Sequence, residues 1–117
     1  MPFIMAKVNT AIDAAQELKL KSRLGNAMEL LPGLSEKYLL FGVEGGCKFY
    51  LRGRDDDAVA YVEVNLFGNE AHIGCENFSA AVTKIFFDVL NVPPTNIYIK
   101  FSDIDAWSVG GMFFAGR

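Results

Sequence analysis

Pro2 is the residue whose type and position offer this chain the most chemistry. Initiator methionine is usually removed before a residue as small as proline. Removal turns the Pro2 amide into a secondary amine held rigid by its ring. An exposed terminal amine titrates near 8. Burial among apolar side chains disfavours its charged form and lowers that value. A base poised near neutral pH is what proton abstraction beside a carbonyl requires. Proline at position 2 is also common without chemistry, so the reading depends on the rest of the chain.

No other constellation competes with it. His72 is the single histidine, and no second histidine or ordered carboxylate set accompanies it, so no metal site is expected. Asp55-Asp56-Asp57 lacks the alternating ligands and central glycine of a calcium loop and reads as a solvated turn. Gly42-Val43-Glu44-Gly45-Gly46 lacks the Gly-Lys-Ser/Thr ending of a phosphate loop. Serine, histidine and aspartate are too scattered for a nucleophile triad. Cys47 and Cys75 have no CxxC spacing and read as reduced structural thiols. No cofactor is expected.

The elements that must position Pro2 follow from hydrophobic period. Pro2–Val8 reads as a strand, with Ile4, Ala6 and Val8 on one face and Phe3 and Met5 on the other. Leu20, Leu24, Met28 and Leu31 recur at helical spacing within a helix expected over Ala11–Leu31, with Gly25 inside it and Pro32-Gly33 as its stop. Tyr38–Val43 reads as a second strand, Lys48–Leu51 as a short edge piece, and Arg52–Asp57 as a charged turn. Ala58–Phe67 is the clearest strand, alternating Ala60, Val62, Val64 and Leu66 with Tyr61, Glu63 and Asn65. Asn77 or Ser79 can cap a second helix containing Val82, Ile85, Phe86 and Val89, which Asn91 and Pro93-Pro94 end. Asn96–Ser102 is a strand with Tyr98 and Lys100 on one face, and the tail Trp107–Phe114 is expected to be extended.

The order is strand, helix, strand, twice over, with halves of about 1–57 and 58–117 in one domain. The fold class is therefore α/β (α+β). Each unit pairs parallel strands through a right-handed crossover. Together they form one mixed four-stranded sheet with both helices on one face. The other face, marked by Glu63, Asn65, Tyr98 and Lys100 among apolar neighbours, is left bare. Hydrophobic content of 51% is high for so small a soluble chain, and argues for an oligomer that covers this face. Net charge is −3 and the basic residues are scattered, so nucleic acid is not expected as a partner. No apolar run reaches the roughly 18 residues of a membrane helix. No secretory leader is visible, and a cytoplasmic location is the expectation, with export by a leaderless route left open.

Several stretches resemble the tautomerase superfamily, in the branch of macrophage migration inhibitory factor and D-dopachrome tautomerase. They are Pro2-Phe3-Ile4, Leu31-Pro32-Gly33, Phe49-Tyr50-Leu51-Arg52-Gly53, Ala60-Tyr61-Val62-Glu63-Val64 with Phe67-Gly68, Asn96-Ile97-Tyr98-Ile99 with Phe101-Ser102-Asp103, and Trp107 with Gly110. The resemblance implies a homotrimer whose sheets wrap into a barrel. It implies cofactor-free keto–enol tautomerisation of a small keto or enol substrate such as phenylpyruvate, with Pro2 as the base in a pocket between subunits. It assigns the Phe67 N–H to the substrate carboxylate or enol oxygen and Tyr98 of an adjacent subunit to the pocket mouth. Val109 and one of Phe113 or Phe114 would form the apolar wall.

The chain also departs from that pattern. Relatives carry a carboxylate-binding lysine just after the first helix, and here that place is Leu34. Lys100 either supplies the missing charge from the other side of the pocket or lines the solvent channel of the barrel. The tryptophan of the usual tail falls on Gly111, within Gly110-Gly111-Met112-Phe113-Phe114. The CxxC of some relatives maps to Val59 and Val62, which argues against a thiol oxidoreductase role. Loss of the lysine leaves a second reading, a non-catalytic, cytokine-like trimer that binds a protein receptor. A third, hydration or decarboxylation by the same amine, would need extra pocket arginines, and Arg52 and Arg54 lie in a charged turn with no place near the pocket.

Overall fold

Residues 3–8 and 60–66 alternate between buried and half-buried side chains, and they become the two central strands of the sheet. The structure, a computed structural model, describes residues 2–115. Strand β1 (Phe3–Val8) is followed by helix α1 (Ala14–Ala27), β2 (Leu40–Glu44), β3 (Ala60–Leu66), α2 (Cys75–Leu90), β4 (Ile97–Asp103) and a hairpin of β5 (Ala106–Val109) and β6 (Met112–Ala115). The main sheet has the order β2-β1-β3-β4. β1 and β2 are parallel, β3 and β4 are parallel, and the two units meet antiparallel through β1 and β3.

Alternation decides what each face of the sheet does. Ile4, Ala6 and Val8 of β1 and Val62 and Val64 of β3 are fully buried beneath the helices. There they pack with Leu20, Leu24, Phe78, Val82 and Phe86. Burying each large side chain contributes about 1.5–3 kcal/mol. On the opposite face, Met5, Glu63 and Lys100 lie in one row across β1, β3 and β4, and Lys7, Tyr61 and Tyr98 lie in the next. Neither helix covers these rows, as the two-residue period predicts.

Helix α1 is shorter than its hydrophobic spacing predicts. Asp13 starts it with a reciprocal capping box: the Gln16 N–H donates to Asp13 Oδ1 at 2.7 Å, and the Asp13 N–H donates to Gln16 Oε1 at 3.0 Å. After Ala27 the chain tightens into a 3₁₀ turn, Met28–Leu30, before Pro32-Gly33.

Helix α2 starts earlier than predicted. Neither Asn77 nor Ser79 caps it; Gly74 does, at φ 80°, with no side-chain hydrogen bond. A Cβ at Gly74 would run into the Leu30 carbonyl oxygen, so the start of α2 abuts the end of the α1 segment too closely for any side chain. Asn91 ends α2 as predicted, in a left-handed conformation with its N–H donating to the Phe87 carbonyl at 3.0 Å.

Two turns correct the sequence reading. Lys48–Leu51 is not a strand of this sheet. Leu51 instead bridges Arg54 around a tight turn whose central residues, Arg52 and Gly53, both have positive φ. Arg52 Nη2 donates to Asn96 Oδ1 at 2.9 Å, and Asn96 Nδ2 donates to the Ala58 carbonyl at 3.0 Å, which ties the turn to the start of β4. The tail is not simply extended but doubles back as the β5–β6 hairpin. Its turn, Gly110-Gly111, has φ of 58° and 80°. Two positive φ angles make the primed turn that matches strand twist. That turn accounts for a glycine at position 111, where a tryptophan would be strained.

Candidate active site

Strand register gathers one set of residues at the Pro2 end of the sheet. Phe3 pairs with Leu40 of β2 on one side and Asn65 of β3 on the other. Residues 38–40 and 66–67 therefore converge on Pro2, and the Leu40 N–H donates to the Pro2 carbonyl at 3.1 Å. β4 ends at the same edge, where the Ile104 N–H donates to the Leu66 carbonyl at 2.7 Å and turns the chain into β5. The result is a cleft of about 340 Å³ lined by Pro2, Lys37, Tyr38, Leu40, Trp107 and Val109. Pro2 itself is buried. Met1 lies outside the described residues.

Of the residues singled out from sequence, Pro2 and Val109 meet in this cleft. Phe67 directly follows β3 at the same edge, and its ring packs against Phe114 with centroids 6.1 Å apart. Phe114 pairs with Trp107 across the hairpin and so shares its face. Phe113 pairs with Ser108 on the other face and is 70% exposed. Neither phenylalanine is among the residues lining the cleft, so the apolar wall is Val109 with Trp107 and Leu40.

Tyr98 and Lys100 lie elsewhere in the chain. Tyr98 is in the row of Lys7, five residues along β1 from Pro2, or roughly 16 Å at strand rise. Lys100 is in the row of Met5, and its Nζ stands 3.6 Å from Glu63 Oε2 on the neighbouring strand. Both side chains are partly exposed on the bare face. The arginines needed for hydration or decarboxylation are also remote. Arg52 is tied to Asn96 at the opposite edge, and Arg54 pairs with Asp56 at 2.7 Å.

Leu34 has a structural occupation. It is half-buried and packs against the core, with its N–H donating to the Leu31 carbonyl at 3.2 Å. Three residues later, the 3₁₀ turn Glu36–Tyr38 brings Lys37 to the cleft. The sequence reading missed Lys37, Tyr38, Leu40 and Trp107 as site residues. A signal was present: parallel strands joined by a crossover start at the same edge, so residues just before β2 must lie beside the start of β1.

The thiols offer little chemistry. Burial pushes the Cys75 thiol up; burial, and then the neighbouring Glu44, do the same for Cys47. Both stay protonated and weakly nucleophilic near neutral pH. Among the described residues, no group of three or more histidine, cysteine, aspartate or glutamate side chains could hold a metal ion. No helix among them is long and apolar enough to cross a membrane.

Two strand–helix–strand units on a single sheet, with a proline leading the first strand into an apolar cleft, define a doubled α+β class. The sequence matches the family model for macrophage migration inhibitory factor (MIF) over residues 1–115, and the chain belongs to that family. No curated protein sequence matches it at a significant level. Solved structures share the fold. MIF2 of Leishmania major superposes with a TM-score of 0.89 at 18% identity, covering 97% of each chain. The MIF homologue of Prochlorococcus marinus gives a TM-score of 0.85 at 25% identity, covering 97% of this chain and 99% of that one. The MIF-like protein of Entamoeba histolytica gives 0.84 at 14% identity, covering 97% and 98%.

Proposed function

We propose that the chain is a cofactor-independent keto–enol tautomerase acting on 2-keto acids of the phenylpyruvate type. The observation that carries this reading is a buried Pro2 in a cleft with Leu40, Trp107, Val109 and one cation, Lys37. Once Met1 is removed, the Pro2 nitrogen is a secondary amine whose charged form is disfavoured by its apolar surroundings. It takes a proton from the carbon beside the ketone, and the electron pair moves to the carbonyl oxygen as the enolate forms. Returning a proton to oxygen gives the enol; the reverse path uses the same groups. The Phe67 N–H, at the same sheet edge, is the donor proposed to meet the developing oxyanion, and such fixed donors can contribute a few kcal/mol to the barrier. An aryl side chain suits the Trp107–Val109 wall.

The bare sheet face supports a homotrimer. In that assembly Tyr98 and Lys100 would come to the cleft from a neighbouring subunit. A cytoplasmic location is part of the same proposal.

An intact-mass measurement establishes whether Met1 is removed, and an enol–keto assay with phenylpyruvate then tests the processed protein. Turnover is expected, together with labelling of Pro2 by an acetylenic 2-oxo acid while both cysteines stay unmodified at neutral pH. Placing one alanine between Met1 and Pro2 converts the amine to an amide and should lower kcat by about 10²–10⁴-fold, the usual worth of a general base. A processed protein with a free Pro2 and no turnover overturns the proposal. The second reading, a trimer acting only through a protein partner, rests on the leucine at position 34, half-buried against the core, where the family pattern has a lysine.

A further inference from the structure

We propose that Lys37 recognises the carboxylate of the cleft's ligand, an aryl- or alkyl-substituted carboxylic acid, and does so from a position the family pattern does not use for this purpose. The inference rests on the tautomerase reading for the substrate's keto group, but not for its anionic end.

Four observations support it. Lys37 is the one cationic side chain among the residues that line the Pro2 cleft. Among the described residues it has no carboxylate within ion-pair distance, whereas Lys21, Arg23, Arg54, Lys84 and Lys100 each have one. Its Nζ lies 5.0 Å from the centroid of the Tyr38 ring, a cation–π contact that holds the ammonium beside another lining residue. The turn that carries it is pinned. The Tyr38 N–H donates to the Ser35 carbonyl at 3.1 Å, the Leu39 N–H donates to the Glu36 carbonyl at 3.0 Å, and Glu36 pairs with Lys21 at 3.3 Å.

The geometry suits the chemistry. Leu34 cannot bind an anion, and it packs half-buried against the core. Lys100 stands beside Glu63 on the bare sheet face, away from this cleft in the chain. An anionic ligand with its apolar body against Trp107 and Val109 meets Lys37 within the same cleft. Because Lys37 is exposed, the pairing is partly screened by water and salt. The expected gain is therefore of the order of tenfold in affinity, the scale of one charge-assisted hydrogen bond near a surface.

The test separates binding from catalysis. Trp107 is the only tryptophan and lines the cleft, so its fluorescence reports occupancy directly. Titrations with 3-phenylpropionate and with its neutral amide are compared in the wild type, Lys37→Met, Lys37→Arg and Lys100→Met. The proposal expects Lys37→Met to weaken the acid about tenfold and leave the amide unchanged, Lys37→Arg to retain acid binding, and added salt to weaken only the acid. It is overturned if the wild type does not prefer the acid, if Lys37→Met binds the acid as the wild type does, or if Lys100→Met shows the loss instead. Acid-selective binding through Lys37 without phenylpyruvate turnover would refute the tautomerase reading and leave this one standing.

Discussion

Positions 34 and 37 are three residues apart and have opposite destinations. Leu34 turns inward to the core, and Lys37 turns outward to the cleft. Sequence comparison by position could find the first but not the second, because a short 3₁₀ turn changes which residue faces the site. Pro2 was legible because its place follows from leading the first strand, whereas Val109 was named through the family resemblance and reaches the cleft on the β5–β6 hairpin. The resemblance named one of Phe113 or Phe114; hairpin pairing places Phe113 opposite Ser108 and Phe114 opposite Trp107, a difference composition does not reveal.

Charge at single residues also has a measurable consequence between the helices. Arg23 donates to Asp88 at 3.0 Å and, with Lys84 at 3.3 Å, holds the Asp88 carboxyl below the usual carboxylate range. A depressed carboxylate stabilises the fold above its unfolded value, near 4, and that contribution is lost as pH falls through the lowered folded value. Asp88→Asn should therefore melt slightly below the wild type at pH 7, and the two melting temperatures should converge at strongly acidic pH. Thermal scans at both pH values check this.

At the level of elements, the sheet was readable and the element ends were not. Alternation in 3–8 and 60–66 fixes faces whatever the neighbours do, and the observed register follows from it. Helix ends depend on what they touch. Asp13 was overlooked as a cap because the apolar pattern begins before it, and Gly74 was overlooked because a glycine N-cap has no side-chain signature. Its necessity is steric, which gives a prediction. Gly74→Ala combines a left-handed penalty of about 1–2 kcal/mol with a clash against the Leu30 backbone. The loss should exceed about 2 kcal/mol, read as a drop of roughly 8 °C or more in melting temperature. A neighbouring change, Asn77→Ala, should be close to neutral because Asn77 does not cap the helix.

For the molecule as a whole, the uncovered side of the sheet is the dominant feature. Phe3, Met5 and Tyr61 remain half-buried there with no helix above them, and Tyr98 is 49% exposed. A single copy leaves this apolar surface in water, which favours self-association. Sedimentation should give a mass near three times the 12.9 kDa chain. Met5→Arg should shift the distribution toward single chains, whereas Lys19→Glu on the helical side should not.

Gly25 is buried inside α1, where a Cβ would collide with the Glu36 side chain. Glu36 begins the turn that carries Lys37, so the notch left by one missing methyl group sets where an ammonium stands some distance away. Gly25→Ala should gain about 1 kcal/mol in helix propensity while evicting Glu36 from its berth. Its expected signature is a nearly unchanged melting temperature beside an altered preference for 3-phenylpropionate over its amide. Ligand choice in such a fold can drift through a helix that never meets the ligand.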